Sequence, residues 1–375
     1  MKTRLAAGLA GLGWLVVVLV MVPSALASTV TVSGGDTVRV AETGNETNAI
    51  TVSYDAGGDR YKVADTAATL TPSGTCVVVD THTATCPGAG IKTISVDTAD
   101  RDDSIALDAN TIPATVTENL DGGSANDTVT GANSPGTLRG GSGNDTVTGH
   151  GTVEGGSGND VVTGSPMADN IRGGLGRDVL DGGDGPDDIA GGGSSDTLVY
   201  PADRHSPINV TIGTGNGDDG GPEDLGSGGR DTVHGDVEAV IGTAQDDLLA
   251  GDSSSETLDG AGGNDTLVGN NGNDTLLGQL GADLLVGGSG RDVLRGSFGD
   301  DRLFGGPNGD RVLGGPDNDL LVGNLGSDVM KGKSGIDFIR AKDGVRDVKI
   351  KCGPGSNKAE GATRDRHLDP RPRSC

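Results

Sequence analysis

A nine-residue unit, GGxGxDxUx with U apolar, recurs without slippage through most of the second half of this chain. Gly242 to Arg340 spans 99 residues and divides into 11 consecutive units. Position six is Asp247, Glu256, Asp265, Asp274, Asp283, Asp292, Asp301, Asp310, Asp319, Asp328 and Asp337. Position eight is Leu249, Leu258, Leu267, Leu276, Leu285, Leu294, Leu303, Val312, Leu321, Met330 and Ile339. Self-similarity at a short fixed period is the mark of a stacked architecture, in which each unit buries its apolar residue only against its neighbours. Aromatic residues make up 2% of the chain, which argues against a large globular core and for a thin core of Val, Leu and Ile.

The same unit fills an earlier block. GGSANDTVT begins at Gly122 and GGSGNDTVT at Gly140, with Asp127 and Asp145 at position six. A second in-register run from Gly155 to Val199 carries Asp160, Asp169, Asp178, Asp187 and Asp196 there, and Val162, Ile171, Leu180, Ile189 and Leu198 at position eight. One unit, GANSPGTLR, has Gly136 in the acidic slot, and residues 149–154 form a short unit that breaks the count by three.

Each unit reads as a tight turn followed by a three-residue strand. The glycines permit the positive φ angles and close backbone approach of the turn. The last three residues point one apolar side chain inward and its neighbours outward. Nine residues make half a coil, so Asp247 stacks on Asp265, Asp283, Asp301, Asp319 and Asp337. On the other side Glu256 stacks on Asp274, Asp292, Asp310 and Asp328. Parallel strands lie about 4.8 Å apart. Bare carboxylates at that spacing repel by roughly 1 kcal/mol in water and about 3–4 kcal/mol at an effective dielectric near 20. Summed along two ladders, the repulsion exceeds the roughly 5–15 kcal/mol by which a domain is stable. The stack therefore needs a cation between rungs. Carboxylate and turn-carbonyl oxygens, with no His or Cys in the slots, select Ca²⁺ over zinc or copper, and carbonyl cages rarely match the small octahedron of Mg²⁺. A flexible acidic chain would need neither fixed register nor an apolar residue at every position eight. A metal-free solenoid would not place an acid on nearly every turn.

These units resemble the RTX, or haemolysin-type, calcium-binding nonapeptide repeats, over roughly residues 118–340. The resemblance implies an all-β, right-handed parallel β-roll, with Ca²⁺ held between successive same-side turns by position-six aspartates and turn carbonyls. Carried onto this chain, the ligands are the position-six residues of both blocks named above, Asp127 to Asp337. Gly136 departs from the pattern and implies a missing or weak site. Glu256 keeps the charge on a longer arm.

The ends set the context. Lys2 and Arg4, an apolar run from Leu5 to Val22 and Ala25-Leu26-Ala27 read as a secretory signal over residues 1–27, cleaved before Ser28. An uncleaved membrane anchor is the alternative. The formal net charge is −26, and loss of Lys2 and Arg4 takes it to −28. That acidity argues against nucleic acid or an anionic membrane as partner. Four cysteines in a secreted chain suggest two disulfides out of three possible pairings. Cys76 and Cys86 flank VVVDTHTAT, which reads as a hairpin, and Cys352 and Cys375 bracket the tail, so local pairing is expected.

Residues 28–117 lack clean units and read as an N-terminal cap of short strands rich in Thr and Val. Within them TADRDDSIA looks like a decayed unit, with Asp103 and Ile105 in the expected slots. Block one (118–199) and block two (242–340) are separated by an insertion, 200–241, with strands at Ile208–Ile212 and Asp231–Ile241 around an acidic loop. Asp218, Asp219, Glu223 and Asp224 in that loop are candidates to hold one further ion, and a solvated loop is the simpler reading. Residues 341–375 are expected to cap the far end, closed by Cys352–Cys375.

No H-E-x-x-H and no G-x-S-x-G occurs, and the five histidines, His82, His150, His205, His234 and His367, form no such motif. No unaccounted segment is long enough for a catalytic domain. The sequence thus reads as a secreted, non-catalytic calcium-binding β-roll whose partners are calcium ions. A cell-surface adhesin or surface-layer module with structural calcium is the alternative, and any cell-surface or matrix partner is not identified by the residues.

Overall fold

The computed structural model describes residues 27–42, 46–202, 204–213, 231–341, 349–351, 353–354 and 358–361. The signal segment, the acidic loop and the Cys352–Cys375 pair of the sequence reading lie outside them. Among the described residues every regular element is a strand, and the repeats form a parallel β-solenoid of about 11 turns.

Two walls of strands run the length of the roll. Along one, Thr93–Asp97 leads to Thr117–Ser124, Gly136–Ser142, Gly151–Ser157, Asn170–Leu175 and Asp188–Gly193, all parallel. The opposite wall starts at Ser104–Leu107 and continues unbroken through Thr128–Thr130 to Lys349–Lys351. The usual step between stacked residues is 18, as in Leu120 on Leu138. At the short unit the step drops to 15, with Gly136 on Gly151 and Val147 on Val162, and the stack continues in register.

The insertion is threaded out of order. Thr232–Val233 pairs with Asp188–Gly193 of block one, whereas the earlier Asn209–Thr211 pairs with Leu248–Ala250 of block two. The N–H of Gly213 donates to the Val233 carbonyl at 3.0 Å and links the two. The insertion therefore supplies a strand to each block and keeps the first wall closed.

The N-terminal segment changes pairing sense. Thr37–Ala41 lies parallel to Thr93–Asp97 but antiparallel to Ala27–Ser33, and Ala49–Asp55 lies parallel to Ser104–Leu107 but antiparallel to Arg60–Asp65. Both walls thus end in hairpins, which covers edges that would otherwise pair with another chain. Cys76 and Cys86 form a disulfide across the hairpin of Val77–Asp80 and Thr83–Pro87, as expected from their spacing. At the other end Lys349–Lys351 and Lys358–Gly361 add to Val329–Lys333 and Phe338–Ala341 in register, extending both walls by a further coil.

The core is one side chain deep from each wall. Every position-eight residue from Val129 to Ile339 is fully buried, and three-residue strands show the half-buried, buried, half-buried alternation that a pleat imposes. Glycine at position four is needed where coils touch. Gly290 has φ +143°, and a Cβ there would overlap the carbonyl oxygen of Gly272. Leu285→Ala should cost about 2–5 kcal/mol because the gap has no other side chain to fill it. Leu280→Ala, at the end of its strand and 59% exposed, should stay within about 0.5 kcal/mol. Urea midpoints at saturating calcium check the pair, and equal shifts would contradict this core.

Candidate metal centre

The position-six carboxylates do two separate jobs with their two oxygens. One oxygen accepts the backbone N–H of the position-six residue one coil earlier. Asp265 N–H donates to Asp283 Oδ1 at 2.9 Å, Asp283 N–H to Asp301 Oδ1 at 3.0 Å and Asp301 N–H to Asp319 Oδ1 at 3.1 Å. On the other side Asp274 donates to Asp292 and Asp292 to Asp310, each at 2.9 Å. Block one repeats this from Asp127 through Asp145, Asp160 and Asp178 to Asp196. These are charge-assisted bonds of the stronger kind. They are why a buried acid can be tolerated on every coil.

The second oxygen has no such partner. Oδ2 of Asp127, Asp145, Asp160, Asp178, Asp196, Asp265, Asp274, Asp283, Asp292, Asp301 and Asp310 is buried without a hydrogen bond. An unsatisfied buried carboxylate oxygen is costly unless something positive meets it. The space beside it fits a hard cation. A Cβ on Gly287 would lie 2.5 Å from Asp292 Oδ2 and 2.5 Å from the Gly305 carbonyl oxygen. On Gly155 it would lie 2.6 Å from Asp160 Oδ2 and 2.6 Å from the Gly173 carbonyl. Position one is glycine because a side chain would fill an oxygen-lined gap. Among the described residues no three His, Cys, Asp or Glu side chains converge, so each gap offers few carboxylates and several carbonyls. That donor set suits Ca²⁺.

Burial raises the carboxyls above their ordinary value of 3.8, helped by the carboxylate one coil away. Asp265 is pushed up to about 8, Asp301 and Asp310 to about 7, and Asp127, Asp160, Asp196 and Asp274 to about 6. Glu256 reaches about 8 through burial, then the carboxylates of Asp274 and Asp252.

Not every position-six acid is alike. Asp169 is met by the Ser165 N–H and hydroxyl at 2.6 and 2.9 Å, and His150 Nδ1 lies 2.7 Å from its other oxygen. Asp247 Oδ2 accepts the Thr243 N–H at 2.7 Å, and Asp319 Oδ2 the Gly315 N–H at 2.7 Å. At these three rungs protein donors occupy the place open elsewhere. Asp187, Asp328 and Asp337 are buried in the same ladders.

Four ladder members escaped the nonapeptide count or were only half seen. Asp103, in the decayed unit, accepts the Asn48 N–H at 2.6 Å and gives its own N–H to Asp127 at 2.8 Å. Asp231 accepts from Asp187 N–H at 3.0 Å and from the Tyr200 hydroxyl at 3.1 Å. Glu238 accepts from Asp196 N–H at 2.8 Å, so Asp196 is not the end of its ladder. Glu118, fully buried and pushed up to about 7 by burial, stands one coil before Gly136 and accepts the Ala132 N–H at 2.9 Å. Its longer arm reaches toward the unit that lacks an acid. The signal they share is an acid two residues before a buried apolar residue, Ile105, Leu120, Val233 or Val240; Asp231 alone also follows a glycine-rich GSGGR.

The profile of the RTX calcium-binding nonapeptide repeat matches overlapping copies over residues 117–198 and 237–339. These residues carry RTX calcium-binding nonapeptide repeats in multiple copies. Its cofactor is Ca²⁺, bound at multiple sites along the repeats. Among curated proteins no relative matches the chain. The RTX profile stops short of Asp103 and leaves out residues 199–236, which include Asp231.

Two outcomes follow for this RTX roll. Asp283→Asn removes an open oxygen and should raise the calcium midpoint several-fold, whereas Asp247→Asn, at a rung closed by Thr243, should move it much less. Equal shifts in a calcium titration would count against the distinction. The raised carboxyls also set a pH trend. The calcium-free fold binds protons more tightly than the unfolded chain, so its stability is largest near pH 4 and is lost as pH rises through about 6–8. Strand signal of calcium-free protein should be lost as pH is raised from 5 to 8. A rise over that interval would contradict the burial of these acids.

Proposed function

We propose that this protein is a secreted, non-catalytic β-roll that folds when it binds Ca²⁺. The ions are held by the position-six acids with open oxygens, Asp127, Asp145, Asp160, Asp178, Asp196, Asp265, Asp274, Asp283, Asp292, Asp301 and Asp310. Glu256, Asp187, Asp328 and Asp337 complete the set. Asp169, Asp247 and Asp319 contribute one oxygen each while their internal donors stay in place. The observation that carries this reading is the recurrent buried Oδ2 facing a carbonyl-lined gap.

Secretion is supported by the basic-then-apolar N-terminal segment and by the Cys76–Cys86 disulfide, which persists in an oxidising compartment. No helix of the described residues is long and apolar enough to cross a membrane. A non-catalytic role is supported by the use of the acids: each oxygen is either tied to a backbone N–H or turned into a gap too narrow for a substrate. Calcium titration followed by circular dichroism tests the proposal. Strand signal should appear cooperatively, because each ion joins two coils, with half-saturation at about 10⁻⁴–10⁻³ M as in other extracellular calcium modules. Full strand content in excess chelator would sink it.

A further inference from the structure

On the outer face of the first wall in block one, opposite charges pair within the chain. Arg139 reaches Glu154 at 2.7 Å and Arg172 reaches Asp188 at 2.7 Å, each within the first wall. The outer face of the opposite wall is different, because its charges are sorted by sign along the axis. Consider the outward column formed by the ninth residue of each unit, which alternation places on the solvent side of the buried position eight. Before the strand Thr275–Leu280 the column reads Asp181, Val199, Ile241 and Asp259. After it the column reads Arg295, Leu313, Lys331 and Lys351. Leu277 stands in the middle.

This order is self-complementary about Leu277. Turning a second copy by 180° about an axis along the strand Thr275–Leu280 and laying it face to face keeps the column on itself and reverses its direction. Asp259 then faces Arg295 and Asp181 faces Lys351, while Ile241 comes over Leu313, which is already buried within its own chain, and Val199 over the Lys331 stem. Leu277 meets its own copy. Such a contact is isologous, with each unlike pair made twice. The neighbouring column agrees: Thr275 is at its centre, and Arg311, its charged member among the side chains described, faces Ala239. Rotation about the roll's own axis direction would instead oppose like charges.

We propose that this wall is a docking surface for a second copy of the chain, arranged antiparallel. The argument is charge complementarity together with two arginines that have no ion partner among the described residues. Arg295 and Arg311 are exposed and make no ion pair among the described residues. Asp259 and Arg295 lie two strands apart, about 10 Å, beyond direct pairing of their backbones' positions. Asp259 accepts from Ala261 N–H and the Gln279 amide, at 3.0 Å each. A carboxylate has about four acceptor sites, so it retains capacity for a guanidinium. Net charge does not forbid the contact, since screening limits repulsion to about 8–10 Å at physiological salt. Nine strands at about 4.8 Å spacing and about 10 Å of strand give a strip on the order of 400 Å² per copy. That is below a standard interface, so the dimer is weak, transient and salt-sensitive.

The inference rests on the roll being folded, so it is tested at saturating calcium with strand signal checked for every variant. Loss of that signal would fault the folding, not the surface. Sedimentation equilibrium should show a reversible dimer that weakens as salt is raised. Arg295→Asp and Asp259→Arg should each weaken it by about tenfold or more, since each creates two like-charge contacts. The double variant D259R/R295D should recover most of the loss, because every contact re-forms with its sign reversed. A folded chain that stays monomeric at all concentrations, a dimer indifferent to the single reversals, or a double variant no better than the worse single would each overturn the proposal.

Discussion

The structure depends on one bond repeated along two ladders: a buried carboxylate oxygen accepting the backbone N–H of the coil before it. Asp265, Asp283 and Asp301 on one side, and Asp274, Asp292 and Asp310 on the other, are all built this way. The bond fixes where each acid sits, and its partner oxygen is left in a gap bounded by glycine carbonyls. Polar satisfaction, charge balance and chain entropy then meet at one point. Without a cation the ladders hold like charges in a dry place. With one, the same oxygens become the glue between coils. A single buried apolar residue per unit cannot do that alone.

A second ladder runs the other way. Position-five side chains accept the N–H of the coil that follows, as Asn264 Oδ1 does from Ala282 and Asn273 Oδ1 from Arg291, each at 2.9 Å. Turns with Asn, Asp or Ser at position five can thus be tied backward by the sixth residue and forward by the fifth, whereas Ala282, Arg291 and Gly309 carry no acceptor for the forward bond. These outer bonds involve exposed side chains and no open gap, so they set spacing without needing metal. Rungs such as Asp169, Asp231 and Asp247, closed by Ser165, Tyr200 and Thr243, interrupt the metal sequence near the short unit and the insertion. Most of the rungs the protein completes with its own donors thus lie at irregular places, with Asp319, met by the Gly315 N–H inside the regular block, as the exception.

Much of this was legible in the sequence, because the period states the geometry. Register, coil length, the inward residue and the stacking partners of Asp247 to Asp337 all follow from a strict count of nine. The Cys76–Cys86 hairpin was legible from spacing. What the count missed has a physical reason in each case. Glu118 and Glu238 occupy the acidic slot without the paired glycines, so only the acid-to-apolar offset remained, and Asp231, though it follows GSGGR, is out of phase with the count of nine in either block. The out-of-order strands of the insertion could not be read, since pairing between Thr232–Val233 and Asp188–Gly193 is set by space, not by sequence distance. Nor could the count separate Asp247 from Asp265. Thr243 in the place of a second glycine turns its own N–H and hydroxyl onto Asp247, a contact visible only once the turn is built.

The central claim is that a cation in the carboxylate gaps holds the coils together. Amide hydrogen exchange at the ladder N–H groups of Asp265, Asp274, Asp283 and Asp292 tests it most directly, since each of these amides donates across a coil boundary to an acid whose other oxygen is open. The account expects strong protection in calcium, lost together and over the same calcium range when the ion is withdrawn. Full protection of these amides in calcium-free protein at neutral pH would contradict it.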